Sequence, residues 1–209
     1  NWCRESTDHG AFNSWDRQPF VVHQPDDEGP PSIYPQFNTI QGNFILANYQ
    51  QSGAIDNDDG SGYYNTTGNF FVYGNYGQKA DMAGHDNYHT NNVYAYLGTV
   101  CYVDLGGGEV SNATHRDRHS NNTCILGTDQ TTYAAISCRN ASEGCKDDAC
   151  RPRLGHNRVY NRKGATSVCG MPLAAWQKEG YDPGTVVIKG IPDDDTIISM
   201  GKALLWADA

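Results

Sequence analysis

The chain has 209 residues, enough for one domain with a buried core. Its formal net charge is −9 and no basic stripe gathers the scattered Lys and Arg, which argues against nucleic acid as the main partner. With 23 Gly and 13 Tyr the composition favours strands and turns over helices, and no run is apolar enough to span a membrane.

The first residues, NWCREST, already sit in a patterned segment, so we expect a processed protein or a piece of a longer one. Residues 25–37, PDDEGPPSIYPQF, read as a Pro-rich loop. A repeat then takes over in GNFILANY (42–49), GNFFVYGNYG (68–77), NNVYAYLG (91–98), NNTCILG (121–127) and HNRVYNRKG (156–164). Each places one or two polar residues before a short strand-like run. Asn43, Asn69, Asn92, Asn122 and Asn157 recur at spacings of 26, 23, 30 and 35 residues. A leucine-rich repeat would need regularly spaced Leu, and a propeller blade about 40 residues. The pattern predicts an all-β right-handed parallel β-helix over residues 1–165, with coils stacked at ~4.8 Å. Loop insertions are expected at about 25–37, 105–121 and 138–157. The recurrent Asn would form a structural ladder, amide bonded to amide from coil to coil.

Between the strands runs AIDNDDGSGYY (54–64), with three carboxylates close together. The triplets STD (6–8), AID (54–56), KAD (79–81) and YVD (102–104) predict Asp8, Asp56, Asp81 and Asp104 in one outward column. Ile55, Ala80 and Val103 would then point inward, because neighbours on a strand face opposite ways. Carboxylates stacked ~5 Å apart repel, so a cation, a Lys or a raised pKa must offset the repulsion. Lys79 lies on the same face, and His9 and Arg17 are nearby candidates. Paired carboxyl groups suit glycosidic hydrolysis, one protonated as acid and one ionised as base or nucleophile; ~5 Å fits a retaining pair, ~10 Å the far edge of an inverting one. Two other readings stay open: a plain polar turn at Asp58-Asp59-Gly60-Ser61, and a calcium site near Asp58 with Asp56 and Asp59. An EF-hand is excluded, since its first position would be Ile55.

His85 and His89, and likewise His115 and His119, have the spacing of a helical zinc pair, but on strands that spacing separates side chains by ~13 Å. No metal is assigned to them. His85 beside Asp86 suits a proton shuttle or a substrate hydrogen bond. Tyr63, Tyr64, Tyr73, Tyr76, Tyr94 and Tyr96 offer faces for sugars, with half of them expected in the core. Seven Cys, five of them (Cys124, Cys138, Cys145, Cys150, Cys169) in the last half and none in a close CxxC pair, favour an oxidising compartment. No connectivity follows from the spacing, and Cys3 is the candidate for the odd thiol. Sequons stand at Asn65, Asn112, Asn121 and Asn140, in keeping with a secreted, extracellular protein.

Residues 166–209 read as a capping segment with two short helices. Pro172 would open LAAWQKE, which Gly180 stops, and Asp195 would cap TIISMGKALLW. Ile197, Ile198, Leu204 and Leu205 would bury against the open end of the coil stack. No comparable cap is apparent at residue 1, so we expect either more chain before it or another molecule over that end, self-association with a second copy included.

DHGAFNSWDR (8–17), IDNDDGS (55–61), the GQK at 77–79 and the Asn-Asn strand openings resemble secreted pectate-lyase-like right-handed β-helix proteins, a group that includes glycoside hydrolases. The resemblance covers roughly residues 1–100, and the closing WQKEGYDPGTVV and DDDTIISMGKALL are also similar to that group. It implies an acid/base cluster of Asp56, Asp58, Asp59 and Asp81 with Lys79. Asp8, His9, Trp15, His85 and Asp104 would orient a polysaccharide or glycan. The alternative is a catalytically silent structural glycoprotein subunit of an extracellular matrix or fibre. It draws on the sequons, the Cys-rich segment, and Ala80-Asp81 standing where relatives often carry Arg-Glu.

Overall fold

A computed structural model describes residues 9–15, 36–81, 84–104, 115–137 and 151–206, without the side chains of residues 47–52. Cys3, Asp8, Arg17, Asn112, Cys138, Asn140, Cys145, Cys150 and most of the expected insertions lie outside the described residues.

The described chain is mostly β, in three ladders within two sheets. The first ladder stacks β2 (Asn38–Gln41), β4 (Tyr64–Thr67), β6 (Tyr88–Thr90), β9 (Arg118–Ser120) and β12 (Arg153–Gly155). The second begins with the first halves of β3 (Phe44–Asn57) and β5 (Phe70–Ala80). It continues through β7 (Val93–Leu97), β10 (Thr123–Leu126), β13 (Arg158–Asn161) and β16 (Val186–Lys189). The third joins β1 (Phe12–Ser14), the second halves of β3 and β5, β8 (Tyr102–Asp104), β11 (Thr132–Ile136) and β14 (Ser167–Val168). These pairings are parallel, and each joins strands one repeat apart. Parallel strands need a long crossover, and the rest of the repeat supplies it. Only β15 (Met171–Pro172) adds an antiparallel pairing among the described residues, to β14. β9 and β12 fall inside segments expected as insertions, so those insertions are shorter than the sequence suggests.

The Asn ladder is present. Asn43 Nδ2 donates to Asn69 Oδ1 (3.0 Å), Asn69 to Asn92 (3.0 Å), Asn92 to Asn122 (3.1 Å) and Asn122 to Asn157 (3.4 Å). Each acceptor Oδ1 also takes the backbone N–H of the Asn before it, at 2.9–3.0 Å. Thr185 ends the column by accepting from the Asn157 N–H at 2.9 Å. The residues just before these positions explain the recurrent dipeptides. Gly42, Gly68, Asn91, Asn121, His156 and Gly184 all have φ between 56° and 71°. Gly, Asn and His tolerate that left-handed turn better than most residues, which is why the motif reads GN, NN or HN.

Alternation fills the interior. Ile55, Gln78, Tyr102 and Ala134 stand in register and are all fully buried. Phe71 stacks on Tyr94 at 5.0 Å, and Cys101 is bonded to Cys124 within the same core. Cys169 is also disulfide-bonded. Of the six Tyr considered for sugar contact, Tyr63, Tyr64 and Tyr94 are buried and Tyr73 is exposed.

Both expected helices form, with corrections. α1 spans Leu173–Lys178, with Pro172 as the residue before it, and buries Leu173 and Trp176 in the main core. α2 spans Asp194–Leu205, and its cap is Asp193, whose side chain accepts from the Thr196 N–H at 2.7 Å, rather than Asp195. Nor does α2 cover an end of the strand stack. It lies across the second ladder, where Ile197 joins Phe70, Val93, Ala95 and Ile125, while Ile198 is exposed. Gly201 is the contact point: a Cβ there would lie 2.4 Å from Phe70 Cδ1.

Candidate active site

Pairing of β1 with β3 sets Phe12 beside Ile55, Asn13 beside Asp56 and Ser14 beside Asn57. The first motif thus lies against the second. The Ser14 carbonyl accepts from the Asp58 N–H (2.7 Å) and from Ser61 Oγ (2.9 Å), and Asn57 Nδ2 donates to Ser14 Oγ (3.0 Å). Asp58–Ser61 closes as a tight turn, with the Ser61 N–H on the Asp58 carbonyl (3.0 Å) and Gly60 at φ 78°. The polar-turn reading is correct for the backbone, and the turn also aims carboxylates.

The predicted column is out of step. Asp56 pairs across the sheet with Lys79, and Lys79 with Val103; Asn57 pairs with Ala80, and Ala80 with Asp104. Asp81 lies two positions beyond the partner of Asp56, and a slip of two keeps the face. Asp104 shares its column with the buried Ala80, and that odd slip turns it inward. Val103, expected inside, takes the other face. Asp104 therefore leaves the carboxylate group, and its carboxyl lies 3.6 Å from Nε2 of the fully buried His119.

What remains is a cluster around one ammonium. Lys79 Nζ lies 2.7 Å from Asp81, 3.3 Å from Asp56 and 3.7 Å from Asp58. Burial raises the Asp56 carboxyl to about 6; Lys79 opposes this, and the charges of Asp58 and Asp81 add to it. Burial pulls the Lys79 ammonium down, but its hydrogen bond to Asp81 and the three carboxylates outweigh that and hold it above its ordinary value. Mutual repulsion is thus offset by a Lys and by a raised pKa together. His9, exposed, brings a ring nitrogen into the same group as Asp56 and Asp58, all within 4.8 Å. A calcium ion drawn to these carboxylates would compete with the Lys79 ammonium among them. Trp15 is 69% exposed just after β1, and Asp59 lies within the turn.

His85 sits one repeat along, its N–H on the Ser61 carbonyl at 3.3 Å. It is fully buried and faces Asp86 and His115. Sequence spacing missed His115, because the strand stack pairs His85 with His115 and His89 with His119 across repeats. Register with the Asn ladder was the available signal: His85 and His115 each stand seven residues before a ladder Asn, and His89 and His119 three before. Inside, His89 stacks on His119 at 5.1 Å and His119 on Tyr102 at 4.4 Å. Burial lowers His119 to about 4 and pushes His89 down as well. Asp117, also enclosed, is raised to about 7 by burial and by the charge of Asp104. Of the sequons, Asn121 is exposed at its turn and Asn65 is half-buried in β4.

No helix among the described residues is long and apolar enough to cross a membrane. Comparison with protein-family models, with curated proteins and with solved structures returns no match. The fold and the cluster define the class that can be stated: an all-β protein of stacked parallel strands with a lysine-bridged carboxylate site.

Proposed function

We propose that the chain is a secreted polysaccharide-binding protein wound as a right-handed parallel β-helix, and that the carboxylates around Lys79 hydrolyse a glycosidic bond. The winding is supported by the order of the strands, which visit the three ladders in the same sequence repeat after repeat. One observation carries the site: Asp56 and Asp81 share the Lys79 ammonium while burial lifts Asp56 to about 6.

A carboxyl that titrates there can hold a proton near neutral pH and deliver it to a leaving-group oxygen. Asp81, at 2.7 Å from Lys79, is placed to act as its carboxylate partner. The nearest Asp56 and Asp81 oxygens lie 3.3 and 2.7 Å from one nitrogen. That keeps them closer than the ~6.5 Å at which inverting pairs begin and favours the retaining spacing of about 5–5.5 Å. Asp58 and Asp59 shape the field, and the exposed Trp15 ring offers a sugar-stacking face. The Cys101–Cys124 disulfide and the exposed Asn121 support an extracellular setting.

A second reading draws on the complete burial of Asp56, which also suits a silent structural ion network in a matrix glycoprotein. Reducing-end release on a panel of plant and algal polysaccharides separates the two. Release by the native chain, abolished in Asp56→Asn and in Asp81→Asn with circular dichroism unchanged, supports the hydrolase. A folded native chain that releases nothing leaves the structural reading in place.

A further inference from the structure

We propose that His85, Asp86 and His115 form a binding site for a transition-metal dication of the zinc class. The site is separate from the carboxylates around Lys79 and does not depend on their role.

Two imidazoles from segments one repeat apart converge on a single oxygen. His85 Nδ1 lies 3.1 Å and His115 Nδ1 2.6 Å from Asp86 Oδ2, and one donor atom from each of the three residues lies within 4.8 Å of the other two. Zinc binds imidazole nitrogen at about 2.0–2.1 Å and carboxylate oxygen at about 2.0–2.2 Å, so tetrahedral ligands stand ~3.4 Å apart. The His85–Asp86 separation is close to that already. The His115–Asp86 pair has to open by less than ~1 Å, which rotation of two side chains provides.

The surroundings hold the three groups in place. Asp86 adopts φ 55°, a left-handed conformation that Asp tolerates better than most residues, and this turns its carboxylate toward both rings. Tyr88 stands near the same carboxylate: burial raises its hydroxyl above the ordinary value and Asp86 adds to that, the place of a supporting group behind a metal ligand. Tyr63 sets its ring edge against His85 at 5.2 Å. Gly62 leaves the room: a Cβ there would stand 3.1 Å from His85 Cε1 and 3.0 Å from the His85 carbonyl.

The donor set selects the ion. Two imidazoles and one carboxylate suit Zn²⁺, Co²⁺, Ni²⁺ or Cu²⁺, whereas Ca²⁺ and Mg²⁺ want oxygen ligands. Three protein ligands also leave one position open to water or to a substrate oxygen. The side chains are buried but not sealed, with His115 about 10% and Asp86 about 9% exposed, so an ion has a way in.

The test uses the full chain after dialysis against chelator. Co²⁺ titration is followed by the visible d–d band, and Zn²⁺ by calorimetry and thermal shift. One equivalent should bind, with a tetrahedral-type Co²⁺ spectrum and a higher melting temperature, and Ca²⁺ should not displace it. His115→Gln and Asp86→Asn should each weaken binding at least ~10-fold while circular dichroism stays native. His156→Gln, a control, should leave the Co²⁺ and Zn²⁺ affinities unchanged. Asp58→Asn distinguishes the cluster with His9: if that variant loses the ion and His115→Gln keeps it, the assignment is wrong. Absence of saturable Co²⁺ or Zn²⁺ binding by the folded native chain overturns the proposal outright.

Discussion

The Asn ladder and the Lys79 cluster are both polar columns laid across stacked strands, and they meet the cost of burial in opposite ways. An amide carries donor and acceptor in one group, so Asn69, Asn92 and Asn122 each satisfy the next and the column repeats without net charge. A carboxylate has only acceptors when ionised. Asp56, Asp58 and Asp81 need a cation, and Lys79 supplies one for three. A self-complementary residue can therefore extend through the molecule, whereas a charged cluster stays local and keeps a group with a displaced pKa.

Breaking the ladder in its middle should have the largest effect. Asn92→Ala takes the acceptor from the Asn69 N–H and the Nδ2 donor from the Thr66 carbonyl (2.9 Å), and it removes the side-chain bonds to Asn69 and Asn122; the Asn69 amide keeps the Ile40 and Thr67 carbonyls, and the Asn122 Oδ1 keeps the N–H of residue 92. We expect a loss of about 3–5 kcal/mol in chemical denaturation, since four hydrogen bonds go and the buried Asn69 N–H loses its acceptor. Asn43→Ala, at the exposed end, should cost about 1 kcal/mol because water replaces what is lost. Equal losses at the two positions would mean that the column is not what holds the strands in register.

The cluster is broken by Lys79→Met. Removing the shared cation should cost about 3–4 kcal/mol at neutral pH, because it leaves carboxylates unpaired in a buried place. The loss should shrink in acid as they protonate. Lys79 lowers the Asp56 pKa, so carboxyl-carbon NMR should show the Asp56 midpoint rising above 6 in the variant. The sign for Asp56 itself is the reverse of the usual carboxylate. Its folded value, about 6, lies above the ordinary 3.8, so its contribution is fully present below pH 3.8 and is lost as pH rises through 6. Asp56→Asn should flatten that slope.

The two columns also differ in how far the sequence discloses them. The ladder was legible because Asn43 to Asn157 repeat with a marker before each, a Gly, Asn or His that accepts positive φ. The all-β class and parallel strands followed from the same repeat. Asp56, Lys79 and Asp81 were legible as neighbours, since a slip of two residues preserves the face. Asp104 was not: insertions change the rung length, and an odd slip moved it inside. The pairing of His85 with His115 and of His89 with His119 was not legible either, because contact across repeats follows register and not spacing within a segment. The cap of α2 was missed because Asp193, Asp194 and Asp195 are equivalent in composition, and only backbone geometry selects Asp193. Disulfide pairing had no local signal; Cys101 and Cys124 meet only because the strands stack.

A third polar region tests whether buried charge can be balanced without contact between opposite ions. His119 titrates at about 4 when folded, below the ordinary 6.5. Its contribution is present above pH 6.5 and is lost as pH falls through 4, by about 3 kcal/mol. Asp117, raised to about 7, acts oppositely: its contribution is present below pH 3.8 and is lost as pH rises through 7. His89, pushed down beside His119, adds to the acid side, and Asp104 faces both His119 and Asp117. Between pH 4 and 6.5 the slopes of His119 and Asp117 oppose each other. Asp117→Asn should therefore make the protein more acid-labile, and His119→Phe less so, in melting temperatures across that range.

The smallest effect expected is at the outer face of the second ladder, and it separates the two columns cleanly. Gly201→Ala sets a Cβ 2.4 Å from Phe70 Cδ1, and Phe70 is backed by the Phe44 ring at 5.5 Å, so the ring has little room to retreat. Overpacking of this kind costs about 1–3 kcal/mol, and with one added methyl the lower end applies. Ile198→Ala on the same helix, at an exposed position, should stay within about 0.5 kcal/mol. Because α2 meets β5 at Phe70, at the far end of that strand from Lys79, the Asp56 midpoint should remain at about 6 in Gly201→Ala. A shift of that midpoint would show that strain on the ladder side reaches the carboxylates along β5, and the two regions would then have to be treated as one coupled unit.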